Sequence, residues 1–150
     1  MDDTLIFRLK EFYTLETFQV AYYKAQVSSA QDEYYGKVFE KMVKIEQTHA
    51  DFFAKKIEQA NETVPTVVGT LFDLVGNLLG ESVESTGQYN TCKLGIALEN
   101  KAIETYRNFI TESKEKKYWI LYDNLMENLL DEEFHTLWLT NYMNNHPNKS

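Results

Sequence analysis

Apolar residues recur along this chain at steps of three and four, a period that places them on one face of an α-helix. Four stretches carry the rhythm. The first, about Thr4 to Val27, brings Leu5, Leu9, Phe12, Val20, Tyr23 and Val27 to one side. The second, about Ala30 to Asn61, does so with Phe39, Met42, Phe53 and Ile57. The third, about Gln88 to Glu112, aligns Ile96, Ala102, Ile103 and Tyr106, and the fourth, about Glu115 to Asn144, aligns Leu125, Leu129, Leu139 and Tyr142. "SSAQD" parts the first pair, with Ser29, Asp32 and Glu33 expected to cap the second helix. The charged "SKEKK" parts the second pair. Strand-like alternation of comparable length is absent. The expectation is an all-α, antiparallel four-helix bundle in one domain spanning residues 1–150.

Between the second and third stretches lies "VPTVVGTLFDLVGNLLGESVESTG". Pro65 suits a first helical turn, and Val64, Val67, Val68, Leu71, Phe72, Val75, Leu78 and Leu79 keep a three-four rhythm. A long crossover holding a short amphipathic helix, about residues 64–80, is expected to join two helical hairpins into the bundle.

Composition narrows the class. With 150 residues, 43% of them apolar and 14% aromatic, the chain can bury a real core and is no disordered segment. A formal charge of −8 argues against nucleic acid and anionic membrane surfaces as partners. Cys92 is the only cysteine, which excludes an internal disulfide and a Cys-x-x-Cys metal ribbon. "MDDTLIFRLK" opens acidic, unlike a signal peptide, and no uninterrupted apolar run reaches membrane-spanning length. A cytoplasmic protein is expected.

The candidate chemistry sits on the apolar stripes themselves. Glu46 and His49 in "KIEQTHADFF", and Glu132 and His135 in "DEEFHTLW", share an i, i+3 spacing that puts each pair on one helical face. Glu16 stands alone on the first stripe and Glu99 on the third. The midpoint between Glu16 and the first pair falls near residue 31 or 32. That between Glu99 and the second pair falls near 116 or 117. Both midpoints coincide with the proposed turns, so folding each hairpin sets its lone carboxylate opposite its Glu-x-x-His pair. Two such hairpins converge four carboxylates and two imidazoles. Taken singly, His135 reads as a satisfied core histidine and Glu16 as a misphased surface residue. Mirrored about two turns, the six read as metal ligands. Four buried carboxylates repel one another and lose hydration, whereas two divalent cations balance their charge. Oxygen and nitrogen donors without thiolate suit iron or manganese, with zinc a competent substitute.

Other residues near the pattern carry less. Glu104 and Glu133 fall off the stripes and should be solvated, and His146 lies in a polar tail. Tyr23, Phe53, Tyr106 and Trp138 are expected in the core, with Tyr23 and Tyr106 also candidates for positions just outside the metal ligands. Gly95 and Ala102, beside Glu99, leave room for oxygen or a substrate, or allow close helix packing.

This ligand order resembles the ferritin-like diiron-carboxylate superfamily, one glutamate plus Glu-x-x-His in each half of a bundle. Three branches are similar. "ALENKAIETY" and "DEEFHTLWL" resemble bacterioferritin, but Gln47 stands where that family carries its haem-ligating methionine, so no haem is expected. Rubrerythrins share the bundle, although the extra carboxylate of their third helix would fall on Ile96 or Ala102. "LETFQVAYYKAQ" and the crossover segment resemble demethoxyubiquinone hydroxylase, whose crossover approaches membrane-borne quinone. Here Asp73, Glu81 and Glu84 surround that segment, and no lysine or arginine lies between Lys56 and Lys93, which argues against membrane association. The resemblance implies two iron ions held by Glu16, Glu46, His49, Glu99, Glu132 and His135, reacting with dioxygen or peroxide at the expense of an external electron donor. It leaves open a monooxygenase, a peroxide scavenger and an iron-oxidising or iron-storing protein. A metal-free helical interaction module is the remaining alternative. A homodimer is expected.

Overall fold

Asp2 starts the first helix: its carboxylate accepts the Leu5 backbone N–H at 2.8 Å, satisfying a donor that the helix itself leaves unpaired. In the computed structural model, residues 2–30, 32–67, 69, 73, 76–77 and 87–147 are described. Four long helices dominate: α1 (Asp3–Ser29), α2 (Glu33–Gln59), α3 (Gly87–Glu115) and α4 (Trp119–Asn145). No strand occurs among the described residues. The chain forms two compact units, Met1–Val75 and Gly76–Ser150, and each contains one helical hairpin.

In the first unit α1 packs antiparallel on α2, and the register can be read from pairs. Lys10 near the start of α1 meets Glu62, beyond the end of α2, at 2.8 Å. Phe12 stacks on Phe53 at 4.9 Å between ring centroids, and Tyr23 meets Phe39 at 5.4 Å. All four rings are fully buried, each contributing about 1.5–3 kcal/mol by leaving water. In the second unit α3 packs antiparallel on α4. Tyr142 donates its hydroxyl to Gln88 at 2.8 Å, Asn128 donates to the Tyr106 hydroxyl at 3.1 Å, and Arg107 pairs with Glu133 at 2.9 Å. The pairs in each unit centre on its turn, as the spacing of Glu16 and Glu99 from their Glu-x-x-His partners requires.

Two boundaries differ from the sequence expectation. Ser29 ends α1, its hydroxyl turned back to the Ala25 carbonyl at 3.1 Å, and Asp32 alone caps α2 by accepting the Tyr35 N–H at 2.8 Å. The fourth helix begins at Trp119 rather than Glu115, because "SKEKK" ends the third helix instead of linking two. There Lys117 adopts φ +60°, and the Tyr118 N–H reaches the Ser113 carbonyl at 2.8 Å. This is the left-handed closure that consumes the last free carbonyls of a helix. Asn61 (φ +59°) closes α2 the same way, with the Glu62 N–H on the Ile57 carbonyl at 3.1 Å. The expected crossover helix falls largely outside the described residues; of those described, 62–67 belong to no helix, whereas Asp73, Gly76 and Asn77 are helical. Among the described residues no helix is long and apolar enough to cross a membrane.

Asparagine tolerates the left-handed conformation, whereas lysine adopts it at a cost of roughly 1–2 kcal/mol. Lys117→Gly is therefore expected to stabilise the chain by about 1 kcal/mol and raise the melting temperature by roughly 2–4 °C. Thermal denaturation followed by circular dichroism measures this, and an unchanged or lowered midpoint would remove the strain assigned to Lys117.

Candidate metal centre

The inner stripe of α1 runs Leu9, Phe12, Glu16, Gln19, Tyr23, and Glu16 is fully buried within it. The inner stripe of α2 runs Phe39, Met42, Glu46, His49, Phe53, with Glu46 fully buried and His49 only 2% exposed. Because α1 and α2 are antiparallel in the register set by Phe12 and Phe53, Glu16 lands level with Glu46 and His49. The imidazole Nδ1 lies 3.3 Å from Glu16 Oε2 and 3.2 Å from Glu46 Oε2. One donor atom from each of the three lies within 4.8 Å of the others.

The second hairpin repeats the arrangement. Glu99 on α3 and Glu132 on α4 are fully buried, and His135 is 5% exposed. His135 Nδ1 stands 3.3 Å from Glu99 Oε1, and donor atoms of Glu99, Glu132 and His135 again fall within 4.8 Å of one another. The spacing argument thus places every candidate: each lone carboxylate meets its own Glu-x-x-His pair.

These distances fit cation binding. Donors held at about 2.1 Å from a metal stand roughly 3.0–3.4 Å apart for angles between octahedral and tetrahedral. The imidazole–carboxylate separations of 3.2–3.3 Å lie in that range. In both hairpins it is Nδ1 that faces the carboxylates, so the two imidazoles present the same atom in the same way. Buried carboxylate and imidazole donors without a thiolate suit iron or manganese, and zinc also accepts such a set. Dry carboxylates at this range are costly unless compensated.

The flanking tyrosines are buried. Tyr23 lies two turns after Glu16, among Tyr22 and Phe39, and Tyr106 two turns after Glu99, hydrogen-bonded to Asn128. Two polar residues of the inner stripes escaped the sequence reading: Gln19, fully buried, and Asn128, 8% exposed. Their signal was present, since Gln19 follows Glu16 by three and Asn128 precedes Glu132 by four. Asn128 occupies the inward position expected for Leu129, which is only partly buried. Phe53 is in the core as expected, Trp138 is only half-buried and stacks on Tyr142, and exposed His146 stacks on Tyr142 at 4.1 Å. Glu104 is exposed, and Glu133, partly exposed, pairs with Arg107.

Four helices in two hairpins, with a glutamate set against Glu-x-x-His in each, define a ferritin-like protein. The chain belongs to the family described as ubiquinone biosynthesis protein COQ7, whose model matches residues 16–147 and so includes all six candidate ligands. This is the demethoxyubiquinone hydroxylase branch of the ferritin-like superfamily, one of the three that the sequence resembles. Among solved structures the chain is similar to ferritin-like, diiron-carboxylate proteins from Bacillus anthracis strain Ames. The two are 19% identical with a TM-score of 0.79, covering 95% of this chain and 99% of the other, which establishes the ferritin-like all-α fold. No curated protein matches the chain.

Charge compensation gives a prediction whose sign reverses with metal. Without metal, Glu16→Gln or Glu99→Gln removes one of several crowded buried charges and should raise stability by about 1–3 kcal/mol. With Fe(II) in excess the same variants should be less stable than the parent, since bound metal stabilises only the folded state. Calorimetry with and without chelator decides; carboxamide variants that lower stability in both conditions would mean that repulsion does not govern the cluster.

Proposed function

We propose that the chain is a non-haem diiron-carboxylate monooxygenase acting on the ring of a ubiquinone precursor, its two hairpins working as one domain. The observation that carries this is the duplicated triad: Glu16 with Glu46 and His49, and Glu99 with Glu132 and His135, all but removed from water. Membership in the ubiquinone biosynthesis family supports hydroxylation over peroxide scavenging or iron storage. The diiron-carboxylate character of the Bacillus anthracis proteins supports iron as the metal.

In this reading the six residues would hold two iron ions between them. A bound iron pair would supply the reduction of dioxygen by two external electrons and two protons, with one oxygen atom passing to the substrate and the other leaving as water. The chain's own residues fix the geometry. Glu46 and Glu132, each one turn from a histidine on its own helix, and Glu16 and Glu99, each alone on its helix, would supply the carboxylate ligands of the iron ions. His49 and His135 hold Nδ1 toward the carboxylates and would supply the nitrogen ligands. Tyr23 and Tyr106 flank the ligands, and the Asn128 amide fixes the Tyr106 hydroxyl. Gly95 and Ala102, both buried on α3 beside Glu99, keep side-chain volume low where a substrate ring would approach. Fully buried apolar groups such as Leu98 and Phe53 keep the interior of each hairpin dry.

Anaerobic reconstitution should load about two iron ions per chain, the stoichiometry of a carboxylate-bridged pair. The Glu99→Ala, His135→Ala double variant should fail to hold both, and retention of two would reject this ligand set. With a reductant and labelled dioxygen, the loaded protein should add one labelled oxygen atom to a demethoxylated quinone ring. A fully loaded protein that consumes dioxygen without labelling the ring would reject the hydroxylase reading.

A further inference from the structure

The side of α4 opposite its ligands carries a second apolar stripe. Trp119, Met126, Leu130, Phe134 and Leu137 recur there at helical spacing, with Ile120 at the edge. All are solvent-exposed: Ile120 by 77%, Phe134 by 66%, Leu137 by 56% and Leu130 by 48%. Single exposed apolar residues are ordinary, but a continuous row is not. The row runs about 27 Å along the axis at 1.5 Å per residue. It leaves on the order of 700 Å² of apolar side chain in water, taking about 200 Å² for each large side chain.

We propose that this outer face of α4 is a two-fold interface between two copies of the chain. The exposed area approaches the roughly 800 Å² per partner that a stable interface covers. A two-fold contact requires only that one patch complement itself, and a straight apolar row on a single helix does so. The charges beside the row disfavour an anionic lipid surface. Asp123 lies within it, and Glu127, Asp131 and Glu133 lie along it; α4 itself carries no lysine or arginine, and Arg107 of α3 is paired with Glu133 at 2.9 Å. Those carboxylates also give the dimer a signature. Two copies bring Asp123 and Glu127 of each into one region, so association strengthens as salt screens them, the reverse of an interface held by ion pairs. The inference is independent of the iron chemistry, because no residue of the row is a ligand.

Sedimentation and light scattering on the full chain test it. The parent should show twice the monomer mass of 17.6 kDa, with tighter association at higher salt. Leu130→Asp with Phe134→Asp should weaken the dimer about 100-fold or more, with helicity and iron content per chain unchanged. Asp123→Asn should tighten it several-fold and provides a second readout should the double variant fold poorly. A parent that is monomeric at every concentration, a double variant that stays dimeric, or a dimer that salt dissociates would overturn the proposal. So would a monomer that uses this row to bind phosphatidylcholine vesicles.

Discussion

Like charges cannot be gathered inside a protein without something of opposite sign, and this constraint organises the chain. Each hairpin buries two glutamates completely and a histidine almost completely, on stripes that are apolar for most of their length. Replacing the glutamates by leucine would give ordinary bundle helices. A sequence that keeps carboxylates there sacrifices stability in the metal-free state for an arrangement that only cations make favourable. The aromatic pairs Phe12–Phe53 and Tyr23–Phe39 set the register that makes the first triad meet, so core packing and ligand placement are one problem.

The turns serve the same end. The left-handed closure at Lys117 and the cap at Asp32 fix where each second helix begins. A helix that began one residue earlier would rotate its ligands by about 100° away from the partner stripe. The Glu-x-x-His spacing then places carboxylate and imidazole one turn apart on one face, and both Nδ1 atoms come to 3.2–3.3 Å from a carboxylate oxygen. The outer row of α4 shows the opposite economy. Its apolar groups lie on the face of the helix opposite Glu132 and His135.

Most of this was legible before the fold was known, for a physical reason. Helical period and ligand spacing are local properties, and antiparallel hairpins convert them directly into proximity, as Glu16 with His49 and Glu99 with His135 demonstrate. Boundaries were less legible. Ser29 and Asp32 are both good capping residues, and only the backbone decides between them. "SKEKK" was read as the break between the last two helices, but Lys117 has no intrinsic leaning toward the left-handed region, so the sequence did not mark where within it one helix ends and the next begins. Asn128 was passed over because Leu129 is the more hydrophobic neighbour, although the inward position is fixed by phase with Glu132 and not by hydropathy. The outer row of α4 was missed for a related reason: the sequence reading followed the stripe through Leu125, Leu129, Leu139 and Tyr142 and left Leu130, Phe134 and Leu137, on the other face, unassigned.

The most direct test is anomalous diffraction at the iron edge from iron-loaded crystals. Two iron peaks roughly 3.5–4 Å apart, ligated by Glu16, Glu46, His49, Glu99, Glu132 and His135, are the predicted result. A map without iron at these residues, or with the carboxylates turned outward to water, would contradict the claim that cations alone make this buried charge tolerable.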